Sequence, residues 1–272
     1  MGKRVLVTGS TDGIGRETAR QLALRGWEVV VHGRSERKVA RTIEWLYKVT
    51  NQAEITGVTA DFASLTAVSE LADVCLERFE RLDALVANAG IFQSRFERSV
   101  DGFEMTFAVN HLAHFLLIRR LLPLLERAPA GRIVIVSSMA HADRIDFGNL
   151  QGEKGFNGYE AYGVSKLCNL LFGYRLARDV RGKGMTVNCL HPGVINTKLL
   201  KKGWGSIGAP VETGAVTSVY LADDSGVEGV TGGYFVDRAP SRSAPISYDS
   251  SVQERLWELS SRLCEQILPH EG

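Results

Sequence analysis

Cysteine is scarce: the chain has four in 272 residues, and none forms a C-x-x-C pair. Cys75, Cys168, Cys189 and Cys264 lie scattered in apolar segments. That excludes a zinc ribbon or a disulfide framework and fits packed, reduced thiols in a cytoplasmic protein. An excess of one charge sign is also missing. With 32 Lys+Arg against 31 Asp+Glu the net charge is +1, which argues against bulk attraction to nucleic acid or acidic membranes. No stretch approaches the ~18 apolar residues of a membrane span. The opening M-G-K-R-V-L-V-T-G enters a strand pattern at once, leaving no room for a signal peptide or membrane anchor, and Leu6 breaks a myristoylation pattern. Repeats, low-complexity tracts and interdomain linkers are absent. What remains is 44% hydrophobic and 23% charged, the usage of an ordinary globular chain with one large α/β domain.

Against that background the stretch Asn157 to Leu171, N-G-Y-E-A-Y-G-V-S-K-L-C-N-L-L, stands out. Tyr162 and Lys166 are four residues apart. From about Ala161 the composition favours helix, and apolar residues return at Leu167, Leu170, Leu171 and Tyr174. Positions i and i+4 share a helix face, so a phenol and an ammonium stand side by side. A neighbouring positive charge favours the phenolate, which makes Tyr162 a candidate proton donor and acceptor. Alone, the pair reads as a surface lysine beside a half-buried tyrosine. The rest of the chain reverses that reading.

The β-branched run Arg4 to Thr8 reads as a buried strand. T-G-S-T-D-G-I-G (Thr8 to Gly15) leads from it into a helical pattern closed by Gly26. Strand, glycine turn and helix form the context of a dinucleotide-phosphate loop. Gly9 serves the tight turn, Gly13 the approach of backbone to pyrophosphate, and Gly15 the close packing of helix on strand. The helix N-terminus offers its N–H groups and dipole to phosphates. The spacing here is G-x-x-x-G-x-G rather than G-x-G-x-x-G. The second strand, Trp27 to His32, ends in H-G-R-S, without the carboxylate that would hold a ribose 2′-hydroxyl. Arg34, with Arg37 and Lys38 nearby, could meet a 2′-phosphate instead, which favours NADP(H) over NAD(H).

Further along, a helix (about Glu36 to Thr50) leads to a third strand (about Ile55 to Thr59), followed by Asp61 and Phe62. A helix from Leu65 to Phe79 precedes a fourth strand, Leu82 to Ala87, which ends in Asn88, Ala89 and Gly90. A long helical pattern from Gly102 to about Glu126 contains Asn110, with Pro123 as a late kink or break. His111 and His114 lack acidic or cysteine partners and read as packing residues, so no metal site is expected. Strands Gly131 to Ser138 and Met185 to Leu190 flank the Tyr162 helix, and the latter ends in H-P-G (His191 to Gly193). Ile195 to Pro210 is polar, basic and glycine-containing, as a mobile lid would be. A helix (about Glu212 to Leu221), a short strand (Gly233 to Val236) and a terminal helix (about Ser250 to Ile267) follow. The alternation predicts a Rossmann-type, doubly wound, mostly parallel seven-stranded α/β sheet with helices on both faces, in one domain over 1–272. Gly9, Asn88, Ser138, Pro192 and Gly193 all fall at the carboxyl ends of strands, where such sheets bind ligands.

These residues resemble the short-chain dehydrogenase/reductase family over nearly the whole chain. The match runs from T-G-S-T-D-G-I-G through A-N-A-G, Asn110, S-S, Y-G-V-S-K and H-P-G-V-I-N-T. The phrases D-G-F-E-M-T-F-A-V-N-H-L-A-H-F, Y-G-V-S-K-L-C-N-L-L-F and V-N-C-L-H-P-G-V look like its retinol dehydrogenase-like branch. The resemblance implies roles. Tyr162 would be the acid/base, and Ser138 (with Ser137 the neighbouring alternative) would hydrogen-bond the substrate oxygen. Lys166 would bind the nicotinamide ribose and lower the Tyr162 pKa, while Asn110 helps hold a water in a proton relay. Gly9, Ser10, Asp12, Gly13, Ile14, Gly15 and Arg34 would bind the cofactor. Asp61 and Phe62 would flank adenine, Asn88, Ala89 and Gly90 would border the cofactor, and Pro192, Gly193, Ile195 and Thr197 would grip the nicotinamide amide. Segments of about 91–100, 139–158 and 195–210 would shape the substrate pocket. Their Phe92, Phe147, Phe156 and Trp204 either line it or pack the loops down.

The reading is an NADP(H)-dependent oxidoreductase interconverting an alcohol and a carbonyl, with a lipophilic small-molecule substrate. Its rivals are an NADP(H)-binding sensor or scaffold without turnover, and an enzyme that uses NAD(H). The Tyr162 helix could also pair with a second copy, giving a homodimer.

Overall fold

The computed structural model describes residues 2–51 and 54–268. The first half runs β1 (Arg4–Val7), α1 (Gly13–Leu24), β2 (Glu28–Gly33), α2 (Glu36–Thr50), β3 (Ile55–Thr59), α3 (Leu65–Arg78) and β4 (Ala84–Ala87). Next come a short helical turn α4 (Met105–Phe107), a π-helical segment (Ala108–Leu112) and α5 (Ala113–Glu126). The second half runs β5 (Gly131–Val136), α6 (Gly158–Asp179), β6 (Met185–His191), α7 (Lys198–Trp204), α8 (Val211–Asp223), β7 (Tyr234–Val236), β8 (Ala239–Ser241) and α9 (Ser250–Ile267).

The strands form one sheet in the order β3-β2-β1-β4-β5-β6-β7-β8. All neighbours are parallel except β7 and β8. The order reverses between β1 and β4, and this opens a crevice at the carboxyl edge. The inner strands read as near-continuous Val, Ile, Leu and Ala because both faces are covered. One apolar layer, with Leu22, Val29 and Leu46, lies under α1, α2 and α8. The other, with Leu71, Phe115, Leu117 and Leu170, lies under α3, α5 and α6.

Two expectations are corrected. The sheet has eight strands rather than seven. β8 returns beside β7 through Asp237 and Arg238, both left-handed (φ 49° and 66°), as a tight hairpin turn requires. Its Ala-Pro-Ser sequence is exposed and carries no β-branched residue, so no strand pattern announces it. The long helix does not begin at Gly102, which turns the chain with φ 86°. It begins at Met105, where the buried Glu104 carboxylate accepts from Thr106 N (2.8 Å) and Phe107 N (2.7 Å). It then widens into the π segment, and α5 continues through Pro123 to Glu126 without ending there.

The terminal helix covers the free side of α5 and α6. Trp257 packs edge-on against Phe115 (5.2 Å between ring centres) and tilted against Phe172 (5.8 Å). Arg175 Nε donates to Glu254 (2.6 Å), and His111 Nε2 lies 2.9 Å from the Ser260 hydroxyl. Leu256, Ser260 and Cys264 face inward, while Arg255, Glu258, Arg262 and Glu265 face outward.

Candidate active site

The glycine turn is shaped by what cannot fit into it. Gly9 (φ 64°) has no room for a Cβ, which would stand 2.8 Å from Ala89 Cα. A Cβ on Gly15 would stand 2.5 Å from Gly9 O. α1 thus begins pressed onto the ends of β1 and β4, and its first amides have no acceptor within the helix. Asp12 caps it, accepting from Gly13 N (2.9 Å), and also pairs with Lys198 (2.6 Å). Burial pushes the Asp12 carboxyl up, but Lys198 and the Gly13 amide outweigh it and hold it low.

Ser10 is spent on structure: its buried hydroxyl donates to Val7 O (2.8 Å) and accepts from His32 N (2.9 Å). Ile14 lies in the first turn of α1. Arg34 is exposed just beyond β2, and none of the ion pairs among the described residues involves it. Asp61 Oδ1 accepts from Ala63 N (3.0 Å), which makes it a turn residue. The Phe62 ring is buried and stacked on His32 (4.4 Å), so only its backbone remains for a ligand edge. Asn88 donates to Thr8 O (2.8 Å). The Thr8 hydroxyl receives Asn88 N (2.8 Å) and Ala89 N (2.9 Å) and lies 2.9 Å from His114 Nε2. Since His114 Nδ1 faces Asn110 O (3.1 Å), a pure acceptor, Nδ1 carries the proton and Thr8 donates to Nε2. Thr8 and His114 thus tie the glycine turn to the π segment, a link that neither residue type advertises in sequence.

The catalytic candidates converge beside this turn. Ser137 and Ser138 follow β5. Ser137 donates to Lys166 O (2.8 Å) and is used up, whereas Ser138 Oγ accepts from Ala140 N (3.0 Å) and interacts with Tyr162. Asn110, buried in the π segment, accepts from Ile91 N (2.8 Å) and donates to Ile91 O (3.0 Å) and Ser165 Oγ (3.0 Å). Lys166 Nζ donates to Val136 O (3.1 Å) and lies 5.7 Å from the Tyr162 ring centre. A Cβ on Gly90 would lie 3.4 Å from Asn110 Oδ1 and 3.5 Å from Lys166 Nζ, so the strand end and the two polar groups share one small space.

The electrostatics depart from the expected acidification of Tyr162. Burial pushes the phenol up to about 12, and only Ser138 pulls it down. Burial also draws Lys166 down to about 8, and its ammonium is turned toward the β5 carbonyl. The shared helix face holds, but desolvation wins over charge.

The segment after β6 roofs the site. Gly193 turns it (φ 95°), Ile195 is buried, and Thr197 caps α7 through Leu200 N (3.2 Å). Thr197 also faces Gly13. Trp204 lies edge-on to Tyr162 (5.4 Å) and packs against Phe92 (5.1 Å) and Tyr159 (5.3 Å). Tyr159 OH donates to Gly203 O (2.5 Å), and Lys202 contacts Gln93. Of the four aromatics expected near the pocket, Phe92 and Trp204 stand over Tyr162. Phe156 packs on Phe96 (5.6 Å), and Phe147 lies under Arg255 (4.3 Å). A groove of about 810 Å³ between α6 and residues 140–157 is lined by Arg144, Phe156 and Tyr159, but not by Ser138, Tyr162 or Lys166.

The model of the short chain dehydrogenases matches residues 3–205. Human retinol dehydrogenase 14 is 39% identical over 95% of this chain and 85% of its own length. A solved protein from Mycobacterium paratuberculosis superposes with a TM-score of 0.81 at 29% identity, covering 97% of this chain and 93% of that one. A short chain dehydrogenase from Escherichia coli, solved with NADPH, gives a TM-score of 0.72 at 27% identity, over 87% and 97%. The chain belongs to the short chain dehydrogenase family and is an oxidoreductase of the alcohol/carbonyl class. Within that family it falls in the retinol dehydrogenase-like branch.

Proposed function

We propose that the protein is an NADP(H)-dependent reductase of lipophilic carbonyl compounds, with Tyr162 as its proton donor. The observation that carries this is the convergence of Asn110 and Lys166 beside Gly90, with the Tyr162 ring centre 5.7 Å from Lys166 Nζ and Ser138 against Tyr162, next to a turn where Gly9 and Gly15 leave no room for side chains. That cradle, the first amides of α1 and the unpaired Arg34 fit a dinucleotide with a 2′-phosphate. Gly9, Gly13, Ile14 and Gly15 would hold its pyrophosphate, Arg34 its 2′-phosphate, Lys166 its nicotinamide ribose, and Asn88 to Gly90 with Pro192 to Thr197 the nicotinamide end. When bound, NADP(H) supplies or accepts a hydride.

The chain itself supplies the proton and the polarising contacts. A phenol pushed up to about 12 is protonated at neutral pH, so Tyr162 stands ready to donate to a carbonyl oxygen. Ser138, with one lone pair committed to Ala140 N and its hydroxyl against Tyr162, would turn its hydrogen to the same oxygen. In the reducing direction Tyr162 would act as the acid, and in the oxidising direction the same oxygen would act as the base. The roof of Phe92, Tyr159 and Trp204 lays aromatic surface beside Tyr162 and suits an apolar substrate. No helix among the described residues is long and apolar enough to cross a membrane. The four buried thiols suit a reducing compartment, and we place the protein in the cytoplasm on that ground. Because α9 covers the face of α5 and α6 that a second copy would need, the proposed state is a monomer.

The test is NADPH oxidation with retinal, decanal and an aryl ketone, repeated with NADH. Turnover with NADPH and little with NADH is expected. Binding of NADPH with turnover of no carbonyl compound would favour a sensor instead.

A further inference from the structure

We propose that His141 is a positioning residue for Ser138, and that through it the C-terminal segment after β8 becomes part of the catalytic frame. This rests on the reading of Ser138 as the group that polarises the substrate oxygen. His141 Nδ1 lies 2.5 Å from Ser138 O, and its Nε2 lies 2.9 Å from Ala244 N. The partners fix the tautomer. A carbonyl only accepts and an amide N–H only donates, so Nδ1 carries the proton and Nε2 offers a lone pair. The half-buried ring also stands edge-on to Tyr234 (5.8 Å). It is a two-ended clamp, and a side chain with only one hydrogen-bonding end does not replace it.

The far end of the clamp is itself anchored to the catalytic helix. The Ser243 hydroxyl pairs with Tyr174 OH of α6 (2.8 Å) and with Ser247 Oγ (2.7 Å), and Ser243 N donates to Tyr248 OH (3.1 Å). Tyr174 and Tyr248 stack at 5.1 Å and 13°. A closed path therefore runs from Ser138 through His141, Ala244, Ser243 and Tyr174 into the helix that carries Tyr162. The near end is held as well: Met139 N donates to His191 Nδ1 (3.1 Å), and Ala142 N to Gly163 O (2.9 Å). The family match ends at residue 205, so Ser243, Ala244, Ser247 and Tyr248 lie outside it, whereas His141 and Tyr174 lie within. The path sets the separation of the two groups that must reach one substrate oxygen together, and errors of about 1 Å there cost roughly 10²-fold.

The experiment compares His141→Ala, His141→Gln and Ala244→Pro with the unsubstituted chain, using NADPH and whichever of retinal, decanal or the aryl ketone turns over fastest. Gln keeps one donor and one acceptor. Pro at 244 suits the φ of −54° there, removes the amide hydrogen and puts a ring carbon in its place, so it breaks the clamp at its far end and pushes the imidazole away. We expect kcat to fall ten- to a hundredfold, on the order of a sub-ångström to 1 Å misplacement, in His141→Ala and Ala244→Pro. NADPH Kd should stay within about twofold, His141→Gln should recover most of the loss, and the double substitution should be no worse than the single ones. Unchanged kcat in His141→Ala or Ala244→Pro, even with a lower melting temperature, overturns the proposal. Ser138→Ala is the control: full turnover there overturns the catalytic reading and the clamp together, whereas its inactivity beside an active His141→Ala overturns the clamp alone.

Discussion

At Tyr162 two influences oppose each other, and burial prevails over the neighbouring ammonium. An i, i+4 pair of Tyr and Lys is legible in sequence, but its electrostatics are not, because the direction of the Lys166 ammonium is set by the Val136 carbonyl on a distant strand. The same limit applies at Phe62, whose ring is claimed by His32, and at Ser10, whose hydroxyl is claimed by the β1 and β2 backbone. Short polar residues in a glycine turn look alike until their neighbours are known. Arg34 is the opposite case: it is exposed and in no ion pair among the described residues, as the proposed 2′-phosphate contact needs. Arg34→Ala is expected to weaken NADPH binding by about tenfold or more, the ~1.4 kcal/mol of one charge-assisted contact, and to leave NADH binding unchanged. Titration of both cofactors checks this, and equal losses for the two would remove Arg34 from the 2′-phosphate.

Among the elements, those carried by strong periodicity or clear caps were readable. α2, β3 and α9 lie where the pattern puts them. The π segment was not, since one extra residue inside a helix leaves the apolar pattern almost intact while turning Asn110 inward. β8 was hidden by Pro240 and by the lack of branched side chains. Tyr159 was missed although it stands one helical turn before Tyr162, a spacing that brings two rings under one roof. The start of α1 makes the sharpest prediction at this scale. Gly15→Ala forces a Cβ against Gly9 O, so thermal unfolding should record a loss of roughly 1–3 kcal/mol. NADPH affinity should fall with it, and an unchanged melting temperature would mean that α1 sits further from β1 than described.

For the molecule as a whole, α9 shields Phe115 and Phe172 and turns a charged face outward, which is the ground for the proposed monomer. Sedimentation equilibrium should therefore give a single chain, and a dimer would contradict this. The core also carries a pH dependence. Burial draws His32 down to about 4, and His111 and His114 down to about 3. The unfolded chain takes up these protons near pH ~6.5 while the native chain does not, so stability falls as pH drops below that value toward 4. With each histidine worth ~1.4 kcal/mol per unit, the slope approaches roughly 4 kcal/mol per pH unit. Urea unfolding at pH 7 and pH 5 measures it, and equal midpoints would mean that the three rings reach solvent.

All three scales meet in one phenol hydroxyl. The most direct test is the turnover number of Tyr162→Phe with NADPH and the best carbonyl compound, measured beside its NADPH affinity. The substitution removes one oxygen and leaves the ring against Trp204 and Phe92. Turnover should fall by about 10²–10⁴-fold with NADPH bound nearly as before. Turnover within a few-fold of the unsubstituted protein would contradict it.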